Sequence, residues 1–288
     1  MDNRIFIGRK TLRGALDVRN KAKCGFDTPA SVYDIIEKLG ISVWFHGGGS
    51  FGGMYSKETK TILVPSLRPM PRQRYTCAHE LGHWYYGHGS KLDVYEDEYR
   101  CQAHDNEELM ADLFAGHFLM PPGAVAKAFK IRSIDPERCS QFDFYRVVSQ
   151  LGVGYGTLLN HMYWTQKNIS RGAFDRLKQY TPKAIRNELL GSIHEDPGFI
   201  LLVDRQWNYV PIDLQVGHVA IVQNDINVKG KCLELLESSH NKTIIRATTP
   251  GVCSIENDAG SWASFVRVSR KDFQGRSVYR HLEEADDD

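Results

Sequence analysis

Long apolar runs are missing from this 288-residue sequence: no stretch approaches the ~18 residues that cross a bilayer. The first fourteen residues, MDNRIFIGRKTLRG, carry charge where a secretory leader needs its apolar core. The expectation is a soluble, cytoplasmic protein with no membrane partner. Paired cysteines are missing as well. Cys24, Cys77, Cys101, Cys139, Cys232 and Cys253 are scattered without a CxxC, in a chain too large to need disulfide staples, and are read as reduced thiols. Nor is there charge of one sign, since 36 Lys and Arg against 35 Asp and Glu leave +1 and no global field for a polyanion or an acidic membrane. No internal repeat is present, and 42% apolar with 25% charged residues excludes both disorder and a collagen-like fibre.

What is present has two textures. Residues 1–23 hold seven basic side chains (Arg4, Arg9, Lys10, Arg13, Arg19, Lys21, Lys23), read as the solvated face of a short helix. Ser31 to Gly40 has helical apolar spacing with a glycine stop, and Ile41 to Phe45 alternates like a strand. Gly47 to Pro65 carries a hairpin signature. Helices are predicted over 72–87, 107–120, 123–130 and 142–150, then a helical run to Trp164, then one opening at Thr181-Pro182. Beyond residue 180 come short β-rich runs between polar turns, with Trp207 and Trp262 read as core. The expected fold is α+β, with one domain at 1–180 and a β-rich domain at 181–288 ending in an acidic tail.

The chemistry concentrates in His79-Glu80-Leu81-Gly82-His83. On a helix, histidines four residues apart share a face, so both imidazoles can bind one Zn²⁺ while Glu80 stands beside them to take a proton from water. The plain alternative is two satisfied histidines on a half-buried helix. A catalytic zinc needs a third protein ligand and one open position. A metzincin would use position 89, which is Gly; His88 is one residue out of register and is read as a polar residue at the helix end. A carboxylate from a following helix is the other solution. Glu108 and Asp112 lie one turn apart on one face there, so Glu108 can ligate while Asp112 accepts the outer N–H of a histidine.

Arg74-Tyr-Thr-Cys-Ala-His-Glu-Leu-Gly-His83, followed by Glu108-x-x-Ala111-Asp112-x-Phe114-Ala115-x-x-Phe118-Leu119-Met120-Pro121, resembles the ImmA/IrrE family of zinc metallopeptidases over roughly residues 30–165. The family pattern has Asn where Asp112 stands and Leu where Phe118 stands. The resemblance implies a zincin-like metallopeptidase domain with a helix-turn-helix-like segment at about 142–165, His79, His83 and Glu108 as zinc ligands and Glu80 as general base. It implies a cytosolic endopeptidase that cuts a helix-turn-helix repressor and so derepresses stress-response, mobile-element or anti-phage genes. Some members carry a C-terminal GAF-like sensor, as in the radiation-response branch and in CapP-type regulators of CBASS defence operons. Residues 181–288 are compatible with that sensor, whose ligand would be a small molecule or single-stranded DNA.

His161, in the stretch Tyr155 to His161, is the candidate oxyanion donor, with a core or capping role as the alternative. Cys101, seven residues before Glu108 in a polar loop, is a candidate inhibitory ligand at the open zinc position, with an ordinary loop cysteine as the favoured alternative. Two other classes compete with a protease. One is a DNA-binding regulator, whose recognition face (Tyr155, Thr157, Asn160, His161) lacks Arg and Lys. The other is a protein-interaction module with structural zinc, which has no use for Glu80.

Overall fold

The computed structural model describes residues 3–48, 51–89, 92–94, 106–191, 198–239 and 242–282. Cys101 and the acidic tail lie outside them. Among the described residues no helix is long and apolar enough to cross a membrane. The chain divides into two compact units that interleave in sequence: residues 1–138 with 151–176 and 274–277, and residues 139–150 with 177–273 and 278–288.

The first unit opens with α1 (Asn3–Lys21). This is a long helix rather than the short solvated one expected, because Ile7, Ala15 and Val18 form a buried face. Arg19 is a correction to the solvated reading: it is fully buried and spends its guanidinium on the carbonyls of Gly25, Thr28 and Phe118. Next come α2 (Val32–Lys38), β1 (Ser42–His46) and the hairpin β2 (Phe51–Ser56) and β3 (Thr61–Pro65). α3 (Met70–Tyr86) begins with Pro in its first turn and stops at Gly87, which takes the left-handed conformation (φ 68°) that favours glycine. After it lie β4 (Leu92–Val94), α4 (Asn106–Leu119) and α5 (Pro122–Lys130).

The sheet of this unit has the order β13-β1-β3-β2-β4, where β13 (Gly275–Arg276) returns from late in the chain. β1 runs parallel to β3, and β2 pairs antiparallel with both β3 and β4. β3 is covered by β1 and β2 by β4, which leaves β13 and β4 as the outer strands of this sheet. α4 is apolar nearly all round (Met110, Ala111, Phe114, Ala115, Phe118, Leu119 buried), as a helix packed on both α1 and α3 must be. Its approach to α3 depends on Gly82, where a Cβ would stand 3.1 Å from Ala111 Cα and 3.1 Å from the Phe114 ring.

α6 (Gln141–Leu151) lies up to Gln150 in the second unit, and α7 (Tyr155–Asn160) runs into a π-helical turn (His161–Gln166) in the first. α8 (Arg171–Lys178) and α9 (Pro182–Leu190) follow, the latter capped by Thr181, whose hydroxyl accepts from the Ala184 N–H.

Among the described residues of the second unit, eight strands form two four-stranded sheets. One is β5 (Ile200–Val203), β7 (Val219–Val222), β10 (Lys242–Ala247) and β9 (Leu233–Ser239). The other is β6 (Ile212–Gln215), β12 (Ala263–Ser269), β11 (Gly251–Glu256) and β8 (Asn227–Lys229). Both feed one core, including Val203, Val222 and Ile245 from the first sheet and Leu214, Ile255 and Val266 from the second, with Trp207 and Trp262 buried in it. α6 covers the edge of β5: the Tyr145 hydroxyl donates to the Ile200 carbonyl and the Ser149 hydroxyl accepts from the Leu202 N–H, satisfying backbone groups that no strand pairs. Cys232 and Cys253, expected as reduced thiols, are joined in this unit. The tight turn at Gly230 (φ 126°) lays Cys232 on β11, a proximity made by strand packing that no cysteine spacing announces.

Candidate metal centre

Three donor atoms converge between α3 and α4. His79 Nε2 and His83 Nε2 are 3.0 Å apart, and the Glu108 Oε2 stands 3.3 Å from the first and 3.6 Å from the second. A tetrahedral zinc with bonds of about 2.0–2.1 Å separates its ligand atoms by about 3.4 Å, so the triangle has the size of one face of that tetrahedron. Among the described residues this is the cluster of His, Cys, Asp and Glu dense enough to hold an ion. Helical period brings the two imidazoles together, and the close contact at Gly82 and Ala111 brings Glu108 to them.

The outer shell is equally specific. Asp112 Oδ1 lies 2.9 Å from His79 Nδ1, so the carboxylate accepts the ring proton and leaves Nε2 facing the triangle. Burial works against a charged His79, but the hydrogen bonds to Asp112 and Glu108 outweigh it and raise the imidazole to about 10. The Glu108 carboxyl is held well below its ordinary range by His79 and then His83. Both shifts say that the pocket stabilises positive charge among carboxylates. Tyr75 donates to the Asp112 carbonyl, tying the same turn of α4 to α3.

Glu80 is 2% exposed and lies over β2, where an added Cβ on Gly53 would come within 2.5 Å of its Oε1 and 2.6 Å of the Thr76 methyl. Gly53 escaped the sequence reading. Its one signal is a Gly-Gly pair inside a strand, which marks a close approach without saying to what.

His161 is not part of this cluster, and the oxyanion expectation is corrected. Its ring is buried against Gly116, with Nε2 bonded to the Met120 carbonyl. Gly116 lies eight residues past Glu108 on α4, about 12 Å along the helix. Burial first, and the neighbouring His117 second, lower His161 to about 3. His117 itself is buried and, among the described residues, has no hydrogen-bond partner on either ring nitrogen. Of the proposed DNA-recognition face, Tyr155 and His161 are buried. Cys101 falls outside the described residues.

No curated protein matches the chain. A Mycobacterium tuberculosis transcriptional regulator is similar in structure at 16% identity and a TM-score of 0.37, over 54% of this chain and 46% of that one, so the chain spans less than half the length of that protein. The family model for the IrrE N-terminal-like domain of the M78 peptidases matches residues 36–162, a span that holds both histidines, Glu80, Glu108 and Asp112. Residues 36–162 accordingly match the IrrE N-terminal-like domain of the M78 metallopeptidases, which is what the motifs on α3 and α4 resemble.

Proposed function

We propose that this chain is a zinc-dependent endopeptidase of the gluzincin type, with His79, His83 and Glu108 as ligands, Glu80 as general base and Asp112 as the orienting acceptor behind His79. The observation that carries the reading is the triangle of 3.0, 3.3 and 3.6 Å with Asp112 behind one corner. Zinc there would supply Lewis acidity, polarising the scissile carbonyl and lowering the pKa of water toward ~7. Glu80 takes the proton of the attacking water and passes it to the leaving amine. Its burial keeps the carboxylate away from bulk water, and Gly53 gives it room.

The substrate proposed is a helix-turn-helix repressor whose cleavage derepresses stress-response or anti-phage genes, in response to DNA damage in the radiation-response or CapP-type manner. The β-rich half is proposed as the GAF-like sensor that gates the site. These parts rest on the family likeness alone. The test is one defined cut. A helix-turn-helix protein encoded beside this chain is incubated with zinc-loaded protein and with Glu80→Gln, which should keep the metal and lose the cut. Equal cleavage by both ends the protease reading, and zinc binding without any cut leaves the interaction-module alternative.

A further inference from the structure

Each histidine that binds a metal through Nε2 carries its proton on Nδ1, and that N–H needs an acceptor to hold the ring in place. For His79 the acceptor is Asp112. For His83 it is another histidine: His83 Nδ1 and His88 Nδ1 are 2.9 Å apart, and the two residues are 3% and 8% exposed. Two imidazole nitrogens at that distance share one proton, so one ring donates and the other offers a bare lone pair.

On the reading that His83 Nε2 faces a divalent cation, the geometry points to His88 as the positioning residue of His83, a neutral acceptor protonated on Nε2 that fixes the His83 tautomer and ring plane. Residues five apart on a continuous helix point about 140° away from each other. The left-handed Gly87 folds the chain back, the His88 N–H donates to the His83 carbonyl, and the His88 ring stacks on Tyr86. Tyr86 is in turn anchored by its hydroxyl to the Lys10 carbonyl on α1. A neutral acceptor also suits the charge of the pocket. Glu80 and Glu108 already match a dication and Asp112 adds a third carboxylate, so a fourth at position 88 would be buried without a cation to offset it.

The test uses the full chain and Zn²⁺, with affinity measured by chelator competition. His88→Phe keeps a ring and removes the acceptor, and should weaken zinc by about 10–100-fold. His88→Asn puts an amide oxygen near the place of Nδ1 and should recover most of that loss. Long-range ¹H–¹⁵N spectra of the zinc-loaded protein should show His83 protonated on Nδ1 and His88 on Nε2. Unchanged affinity in His88→Phe, equal losses in both variants, or His88 protonated on Nδ1 with His83 bare would overturn the assignment. If the unaltered chain binds no zinc, or His83→Ala binds it as well as the unaltered chain does, the metal site itself is wrong and this assignment falls with it.

Discussion

The carboxylate of Glu80 rests on the bare backbone of Gly53: a methyl group there would stand 2.5 Å from its Oε1. No Cβ is tolerated at that distance, so Gly53→Ala must push Glu80 and Thr76 aside while leaving His79, His83 and Glu108 in place. The expected result is a loss of about 10²-fold in kcat/KM with unchanged zinc content, since displacing a catalytic group by about 1 Å costs that much. A Gly53→Ala enzyme with ordinary turnover would show that Glu80 does not work from this position.

Asp112 should matter through its acceptor oxygen. Asp112→Ala leaves the His79 Nδ1 proton without its partner and is expected to weaken zinc by about 10–100-fold. Asp112→Asn, the residue of the family pattern, keeps an oxygen at the same place and should fall much less. Chelator competition ranks the three proteins, and the reverse order would deny Asp112 the orienting role.

Acid should destabilise the first unit through His117. Burial lowers its pKa to about 4, against ~6.5 in the unfolded chain. The folded state thus binds the proton more weakly than the unfolded one. Full stability holds above pH ~6.5 and is lost as pH falls toward 4, by about 2 kcal/mol at pH 5. His117→Leu removes the linkage and should lower the pH of acid unfolding followed by circular dichroism. A midpoint that stays put or rises would mean that His117 is hydrated or paired in solution.

Arg19 holds three backbone carbonyls from two parts of the chain, including that of Phe118 in the last turn of α4. Arg19→Ala abandons all three acceptors in the interior and should cost about 3 kcal/mol or more, visible as a drop in Tm. Arg13→Ala on the same helix is the control. Comparable losses from both would return Arg19 to the solvated class.

The local part of the site was legible because its code is local. His79 and His83 sit one helical turn apart, and no tertiary fact is needed to know that they share a face. Glu108 and Asp112 were legible for the same reason, one turn apart on the next helix. The β-rich texture after residue 180 was legible in its alternating short runs. That these strands divide between two sheets sharing a core was not, because β5 pairs with β7 and β6 with β12 across long separations. His161 was misplaced because its distance from Glu108 depends on where the π-helical turn meets α4, which is beside Gly116.

By itself the sequence determined the helix that carries two imidazoles and a carboxylate, and the helix that carries Glu108 and Asp112 one turn apart, since periodicity and residue type settle which side chains share a face. The tertiary structure alone decided the rest. It set Glu80 on Gly53, returned His88 to His83 through the left-handed Gly87, buried Arg19 beneath α4, and joined Cys232 to Cys253. Each of these contacts is made by backbone direction and close approach between distant segments, which no spacing along a chain encodes.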